Sequence, residues 1–261
     1  MEVKLPNGYI VYCRNKEELN FLYEEIFENK MYMKHGISLE DNSIVIDAGA
    51  NIGMFSIFIS TSFKGCKLYS FEPIPQTFEV LKKNAELYKN ITAINSGLSN
   101  YIGEAEFSYF PTVSTDSVQI KYRENHEEDL RYGIANHYKK RISDEIVLKR
   151  FVDHVMSKKI LNETICKCRM TTLSEMINLY NIKHVDLLKI DVEKSEFEVL
   201  EGIDEGTWNK ISQVVMEVHG LSDEEISILS NIFSTRGYKV YIDLYEELNV
   251  PRYFNVYAKR N

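Results

Sequence analysis

Four apolar runs in this chain end in acid. Ile44-Val-Ile-Asp47 leads into Ala-Gly49-Ala50-Asn51-Ile-Gly53, and Lys67-Leu-Tyr-Ser-Phe71 into Glu72-Pro73. Val185-Asp-Leu-Leu-Lys189-Ile leads into Asp191-Val-Glu193, and Gln213-Val-Val-Met into Glu217-Val-His219. In open parallel sheets, ligands bind outside the carboxyl ends of the strands. A lone strand-end acid can be a helix cap, whereas several spaced by strand–helix units point to a shared cleft. In the first loop, Gly49 and Gly53 let a ligand approach the backbone closely because they lack a Cβ. This is not a phosphate loop: the Gly-x-x-x-x-Gly-Lys-Ser/Thr pattern and a full Gly-x-Gly-x-x-Gly are both absent. A carboxylate at Asp47 repels a pyrophosphate and suits a cationic or hydroxylated ligand. The alternative is an ordinary strand–turn–helix with a packing glycine.

Glu72 lies about twenty residues beyond the glycine turn, where an acid can accept both hydroxyls of a ribose. It otherwise reads as an exposed helix-start acid beside Pro73. Asn95 and the backbone of Gly97 and Leu98 either border an adenine or form a plain turn. Asp191 ends a buried strand and cannot easily stay there unpaired. Lys189, two residues earlier, shares its face and is a candidate partner. Glu217 and His219 also share a face. A histidine oriented by a carboxylate can act as a general base, or can simply cap a strand end. His35 is a second histidine candidate. Asp191, Glu217 and His219 have metal-ligand chemistry, but three ligands from two strand ends arise often by chance, so no metal is expected.

The surrounding elements alternate. Residues 1–40 form an N-terminal extension. Pro6-Asn7-Gly8 marks a turn before a Tyr9–Tyr12 strand, and Asn15 with Glu18 reads as a capping box. The helix it opens runs to about Asn29, with Phe21, Leu22, Ile26 and Phe27 inward. Residues 41–110 alternate strand and helix, which implies a parallel sheet covered on both faces. Residues 111–162 are highly charged and then helical, an insertion that either lies over the site or is solvated decoration. Residues 163–261 resume the core at Ile165–Met170 and finish in an antiparallel hairpin of Tyr238–Leu244 with Phe254–Ala258. The whole reads as one α/β domain.

Composition narrows the class. The 261 residues are 44% hydrophobic, enough for a sizeable core. A net charge of -8 argues against a nucleic-acid partner. Cys13, Cys66, Cys166 and Cys168 lack zinc-site spacing and read as free thiols in a reducing compartment. The opening residues do not read as a secretory signal, and no apolar run approaches the ~20 residues of a membrane span. The expectation is a cytoplasmic protein with no membrane partner and an open oligomeric state.

The segments Val45–Gly53, Phe71-Glu-Pro-Ile-Pro75, Leu173-Ser-Glu with Val185–Glu193, and Val214–His219 together resemble the FkbM family of S-adenosylmethionine-dependent methyltransferases. The likeness spans about residues 32–258 and is nearest to versions found with polyketide and nonribosomal peptide assembly lines. Two departures stand out: Lys194 where many members have glycine, and Gly220 where assembly-line relatives often have an acid. The resemblance implies a Rossmann-like class I methyltransferase with a mostly parallel seven-stranded sheet. It implies S-adenosylmethionine as donor, S-adenosylhomocysteine as product, and O-methylation of a natural-product or sugar hydroxyl. N-methylation and a non-catalytic binding module are the alternatives. Asp47, Gly49, Ala50, Asn51 and Gly53 would line the methionine part, Glu72 and Pro73 the ribose, and Asn95, Gly97 and Leu98 the adenine. Asp191 and Glu193 would sit beside the sulfonium, with His219, Asp191 and Glu217 as catalytic residues. The acceptor, free or tethered to a carrier protein, would meet His35, Tyr109, Phe110 and the insertion. Lys139, Lys140 and Arg141 either meet an acidic carrier or form a solvated helix end.

Overall fold

The computed structural model describes residues 1–111, 113–139, 141–220, 222–244 and 253–260, the His137 side chain excepted. Strands β1 (Glu2–Lys4) and β2 (Ile10–Tyr12) form an antiparallel pair, followed by α1 (Lys16–Tyr23) and a π-helical turn over Glu24–Glu28. The Asn15 side chain caps α1 by accepting the Glu17 N–H at 2.8 Å. Glu18 does not close a capping box. Its Oε1 instead accepts the Ser114 hydroxyl and the Thr115 N–H, both at 2.9 Å, and so ties the extension to the insertion. Phe21, expected inward, is 40% exposed. Two residues from buried Leu19, it stands on the far side of a helix turning about 100° per residue.

The central layer begins with β3 (Ile44–Ala48), α2 (Met54–Ser62), β4 (Lys67–Phe71), α3 (Pro75–Leu87) and β5 (Ile91–Ile94). Next come β6 (Gly97–Leu98), β7 (Gly103–Tyr109), β8 (Val118–Gln119), α4 (Arg123–Lys139), α5 (Glu145–Leu161) and β9 (Thr164–Thr171). The chain continues through α6 (Leu173–Leu179), β10 (Leu187–Ile190), α7 (Glu196–Glu201), α8 (Glu205–Trp208), β11 (Gln213–His219), α9 (Asp223–Ser234), β12 (Tyr238–Leu244) and β13 (Tyr253–Arg260).

Seven strands form the central sheet in the order β12-β13-β11-β10-β3-β4-β5. Strand β13 runs against both neighbours, and the other adjacent pairs are parallel. Val45 and Ile46 point to opposite faces and are both buried, one in each of two apolar layers that sandwich the sheet. That is why these runs carry no polar alternation. From β3 the chain steps one way to β4 and β5 and later returns to its other side with β10. Strand order therefore reverses between β3 and β10, which opens a crevice there.

Strand β9 does not belong to this sheet, contrary to the reading that the core resumes at Ile165. It pairs with β7 from Gly103–Met170 to Tyr109–Thr164 within a separate sheet of order β6-β9-β7-β8. The cause lies in its pattern. Cys166, Cys168 and Met170 are buried while Ile165, Lys167 and Arg169 are exposed, the alternation of a strand with one wet face. All four cysteines are buried free thiols.

The insertion packs α4 against α5 and is fastened by ion pairs. Arg123 grips Glu163 (2.7 Å) and Arg131 grips Asp153 (2.6 Å). Lys159 pairs with Asp116, and Lys194 with Asp129. Lys140, of the basic run in the insertion, lies outside the described residues. Among the described residues, no helix is long and apolar enough to cross a membrane.

Candidate active site

The crevice is shaped first by backbone. Gly49 has φ +76°, and a Cβ placed on it would stand 1.7 Å from the Asp191 carbonyl oxygen. The loops after β3 and β10 thus touch without room for a side chain. The Gly49 and Ala50 N–H groups both donate to the Phe71 carbonyl, at 3.1 and 2.9 Å. Asn51 has φ +50°, and its Oδ1 accepts the Ile52 N–H at 2.6 Å. Gly53, φ +91°, packs on Leu81 rather than on the crevice.

Glu72 is buried at the end of β4. Its Oε2 accepts the Asn51 N–H at 3.0 Å and its Oε1 the Ile74 N–H at 2.9 Å. Burial nevertheless pushes its carboxyl up to about 7. Asn95 holds this turn from behind, donating to the Glu72 and Pro73 carbonyls at 2.9 and 3.0 Å. The crevice continues as an apolar slot of Ile74, Leu98, Phe107 and Met170, with Gly97 beside it, and reaches Asp191 and Glu193 at its other end.

Asp47 sits one layer deeper. It accepts the Ser56 hydroxyl at 2.8 Å and faces Lys189 Nζ at 3.3 Å. Lys189 is buried and also reaches Asp191 Oδ2 (3.1 Å) and the Gly49 carbonyl (2.9 Å). Burial opposes its charge, but Asp191 and Asp47 outweigh that and raise it above the usual lysine range. Asp191 is held below the usual carboxylate range, despite burial, by Lys189, His219 and the Tyr32 hydroxyl. That hydroxyl donates to Asp191 Oδ2 at 3.0 Å.

A second cavity, of about 490 Å³, adjoins the crevice. Leu22, Tyr32, Thr115, Asp191 and Glu193 line both. At its floor, His219 Nδ1 is 2.9 Å from Glu196 Oε1, while Nε2 lies 3.3 Å from Glu217 Oε1 and 3.7 Å from Glu193 Oε2. Burial disfavours a charged imidazole, yet the Glu193, Glu196 and Glu217 carboxylates outweigh it and hold His219 well above its ordinary range. Burial raises Glu193 and Glu217, and Asp191 adds to both. The Tyr253 ring meets His219 edge-on at 4.5 Å. From α4 comes His126, whose Nδ1 is 3.8 Å from Glu193 Oε2, and burial pushes its imidazole down to about 4.

The structure thus brings Gly49, Ala50, Asn51, Glu72, Pro73, Gly97, Leu98, Asp191 and Glu193 to the crevice, and Asp191, Glu193, Glu217 and His219 to the adjoining cavity. Asp47, Gly53 and Asn95 stand behind those walls. His35 lies outside both, paired to Asp243 at 2.6 Å and stacked on Tyr241. Tyr109 is buried in a satellite cluster with Ile74 and Cys166, and Phe110 lies under Lys159. Sequence reasoning missed Tyr32, Glu196 and His126, and saw Lys189 only as the partner of Asp191. The period of β10 placed Lys189 beside Asp47 as well, since Lys189 and Asp47 are register partners. Nothing local marks Tyr32 or His126.

The residues fit S-adenosylmethionine. A glycine cradle admits close backbone contact, a buried carboxylate waits for hydroxyls, an apolar slot suits a flat ring, and acids face a cationic end. Sequence relatives identify the family. The profile of the methyltransferase FkbM domain matches residues 47–240. The 31-O-demethyl-FK506 methyltransferase FkbM of Streptomyces tacrolimicus is 34% identical over 87% of this chain and 86% of its own length. The AMB antimetabolite synthetase AmbE of Pseudomonas aeruginosa is 30% identical over the whole of this chain, which spans only 12% of that protein. Among solved structures, the Methanococcus jannaschii fibrillarin pre-rRNA processing protein gives a TM-score of 0.48 at 10% identity, over 100% of this chain and 82% of that one. The chain belongs to the FkbM family of methyltransferases and is a Rossmann-like methyltransferase enzyme.

Proposed function

We propose that this enzyme transfers a methyl group from S-adenosylmethionine to a hydroxyl of a small natural-product or sugar acceptor. The observation that carries this reading is the shared wall: the crevice and the 490 Å³ cavity meet at Tyr32, Asp191 and Glu193. A donor in one and an acceptor in the other would be held within reach, and such positioning is the main source of acceleration for an in-line displacement. Bound in the crevice, S-adenosylmethionine would supply an electrophilic methyl for the acceptor oxygen, its sulfur leaving with the electron pair of the broken carbon–sulfur bond.

The chain's own residues divide the work. Gly49 and Ala50 give the donor a close backbone wall, Glu72 accepts ribose hydroxyls, and Leu98 with Met170 encloses the adenine. Lys189 and Tyr32 hold Asp191 in place. The acceptor proton leaves toward Glu217, a carboxylate that burial makes a better base, beside a His219 held in its charged form. The acid-rich cavity favours one second reading, N-methylation of an amine, whose ammonium form the carboxylates would hold and whose proton they would take before its lone pair attacks.

The test is direct. Calorimetric titration should give micromolar S-adenosylhomocysteine binding and none with NAD. A panel of hydroxylated and aminated small molecules, with methyl-labelled donor and product NMR, should then yield an O-methyl product. An N-methyl product selects the second reading, and absent binding of S-adenosylhomocysteine sinks both.

A further inference from the structure

The floor of the acceptor cavity holds more than a proton acceptor requires. Asp191, Glu217 and His219 each present a donor atom, and these atoms lie within 4.8 Å of one another. A cluster of acids is not by itself a site. Here two further features have the form of a ligand set.

The first is the orientation of His219. Its Nδ1 faces Glu196 Oε1 at 2.9 Å, and the same oxygen accepts the Lys194 N–H at 3.0 Å. With Glu196 holding the Nδ1 proton, Nε2 faces Glu217 and Glu193, and a cation bound there would replace the second proton that these carboxylates otherwise keep on the ring. A carboxylate behind an imidazole in this way fixes the tautomer and orients the ring of metal-binding histidines. The second is His126. It is 3% exposed, and neither ring nitrogen has a hydrogen-bond partner. Buried polar groups are almost always satisfied, so this one needs a reason. It lines the same cavity and faces Glu193, the carboxylate that also faces His219 Nε2.

The backbone supports the same picture. Glu193 and Lys194 have φ +49° and +71° in succession. Non-glycine residues hold such conformations only where their surroundings over-determine them, commonly at functional sites. The nearby cations are already engaged: Lys189 by Asp191 and Asp47, Lys194 by Asp129, Lys159 by Asp116. Among the described residues, the ion pairs of Glu193 and Glu217 are with histidines alone.

We infer that this cluster binds one divalent cation, held by Asp191, Glu217 and His219, with Glu193 and His126 completing the shell. Mixed imidazole and carboxylate donors suit Mn²⁺, Fe²⁺ or Zn²⁺ better than an all-oxygen site would. The sequence pointed the other way because it offered only three ligands from two strand ends. The remaining two come from the loop after β10 and from the insertion. A cation at this point would meet the acceptor hydroxyl and ease its ionisation, the proton leaving to water in the cavity rather than to Glu217, which is then a ligand. That role rests on the methyl-transfer reading, whereas binding itself does not.

The experiment uses the full chain stripped with chelator. MnCl₂ is titrated with paramagnetic resonance detection of free Mn²⁺, and S-adenosylhomocysteine binding is measured separately in each protein. One Mn²⁺ should bind per chain. Glu217→Gln, His219→Ala and His126→Ala should each weaken it about tenfold or more, and Glu196→Gln about tenfold through loss of orientation. All four variants should keep S-adenosylhomocysteine binding, which reports the fold. Wild-type protein that binds S-adenosylhomocysteine but no Mn²⁺, or variants that bind Mn²⁺ as tightly as wild type, overturn the site. Mn²⁺ binding without S-adenosylhomocysteine binding supports the site and overturns the methyl-transfer reading instead.

Discussion

The crevice and the cavity beside it are built by different means. The crevice depends on backbone: Gly49 against the Asp191 carbonyl, two N–H groups on Phe71, and Glu72 clasped by the Asn51 and Ile74 N–H groups. Most of its residues come from the carboxyl ends of β3, β4, β5 and β10 and the loops that follow them. The cavity depends on side chains from elements far apart in the chain, with Glu18 and Phe21 from the extension, His126 from α4 and His219 from β11. A backbone-built region tolerates few changes but is shared widely by proteins with the same ligand. A side-chain-built region can be rewritten residue by residue, which is how one donor site can serve many acceptors.

The sharpest way to break this contrast is Gly49→Ala. With a Cβ 1.7 Å from a carbonyl oxygen, the two loops must part, and calorimetry should show S-adenosylhomocysteine affinity falling by roughly a hundredfold or more. If affinity survives, the crevice is not backbone-limited. His219→Ala should do the reverse. Donor binding should stay within a few-fold of wild type, while single-turnover methyl transfer slows by about 10²–10⁴.

A pH titration sharpens the comparison further. Glu72 has its carboxyl raised to about 7 by burial. Its contribution to the free protein's stability is therefore present at low pH and lost as pH rises from the ordinary carboxylate range through about 7. Acceptance of ribose hydroxyls favours the ionised form, so S-adenosylhomocysteine affinity should move oppositely. Below pH about 7 it should fall by up to about tenfold per unit, and Glu72→Gln should flatten the profile. The smallest effect is expected at the seam. Glu18→Ala removes two hydrogen bonds to the insertion and should lower stability in urea by about 1–3 kcal/mol, with donor affinity shifted by no more than about a few-fold through the Ser114 contact with Asn51.

The same contrast explains what could be read from residues alone. The central sheet was legible because Val45-Ile46 before Asp47, and Leu187–Ile190 before Asp191, are apolar runs, Lys189 aside, that end in acid. The donor-side walls were legible because glycine and strand-end carboxylates leave local marks. The β9 strand was misplaced because its alternation was overlooked, although Lys167 and Arg169 announce a wet face. Phe21 was turned the wrong way for want of an anchor for the helix phase. Tyr32 and His126 could not be found, since their relevance is created only when the extension and α4 close over β11.

One hydroxyl joins the two regions. Ser114 Oγ lies 2.9 Å from Glu18 Oε1 and 3.2 Å from Asn51 Oδ1, so it touches the donor loop and the far wall at once. A hydroxyl carries a single proton and can give it to only one of the two acceptors at a time. Whatever claims Asn51 on one side therefore releases that proton to Glu18 on the other. The segment carrying Ser114 works as a two-position balance, and filling either chamber adds weight to one pan.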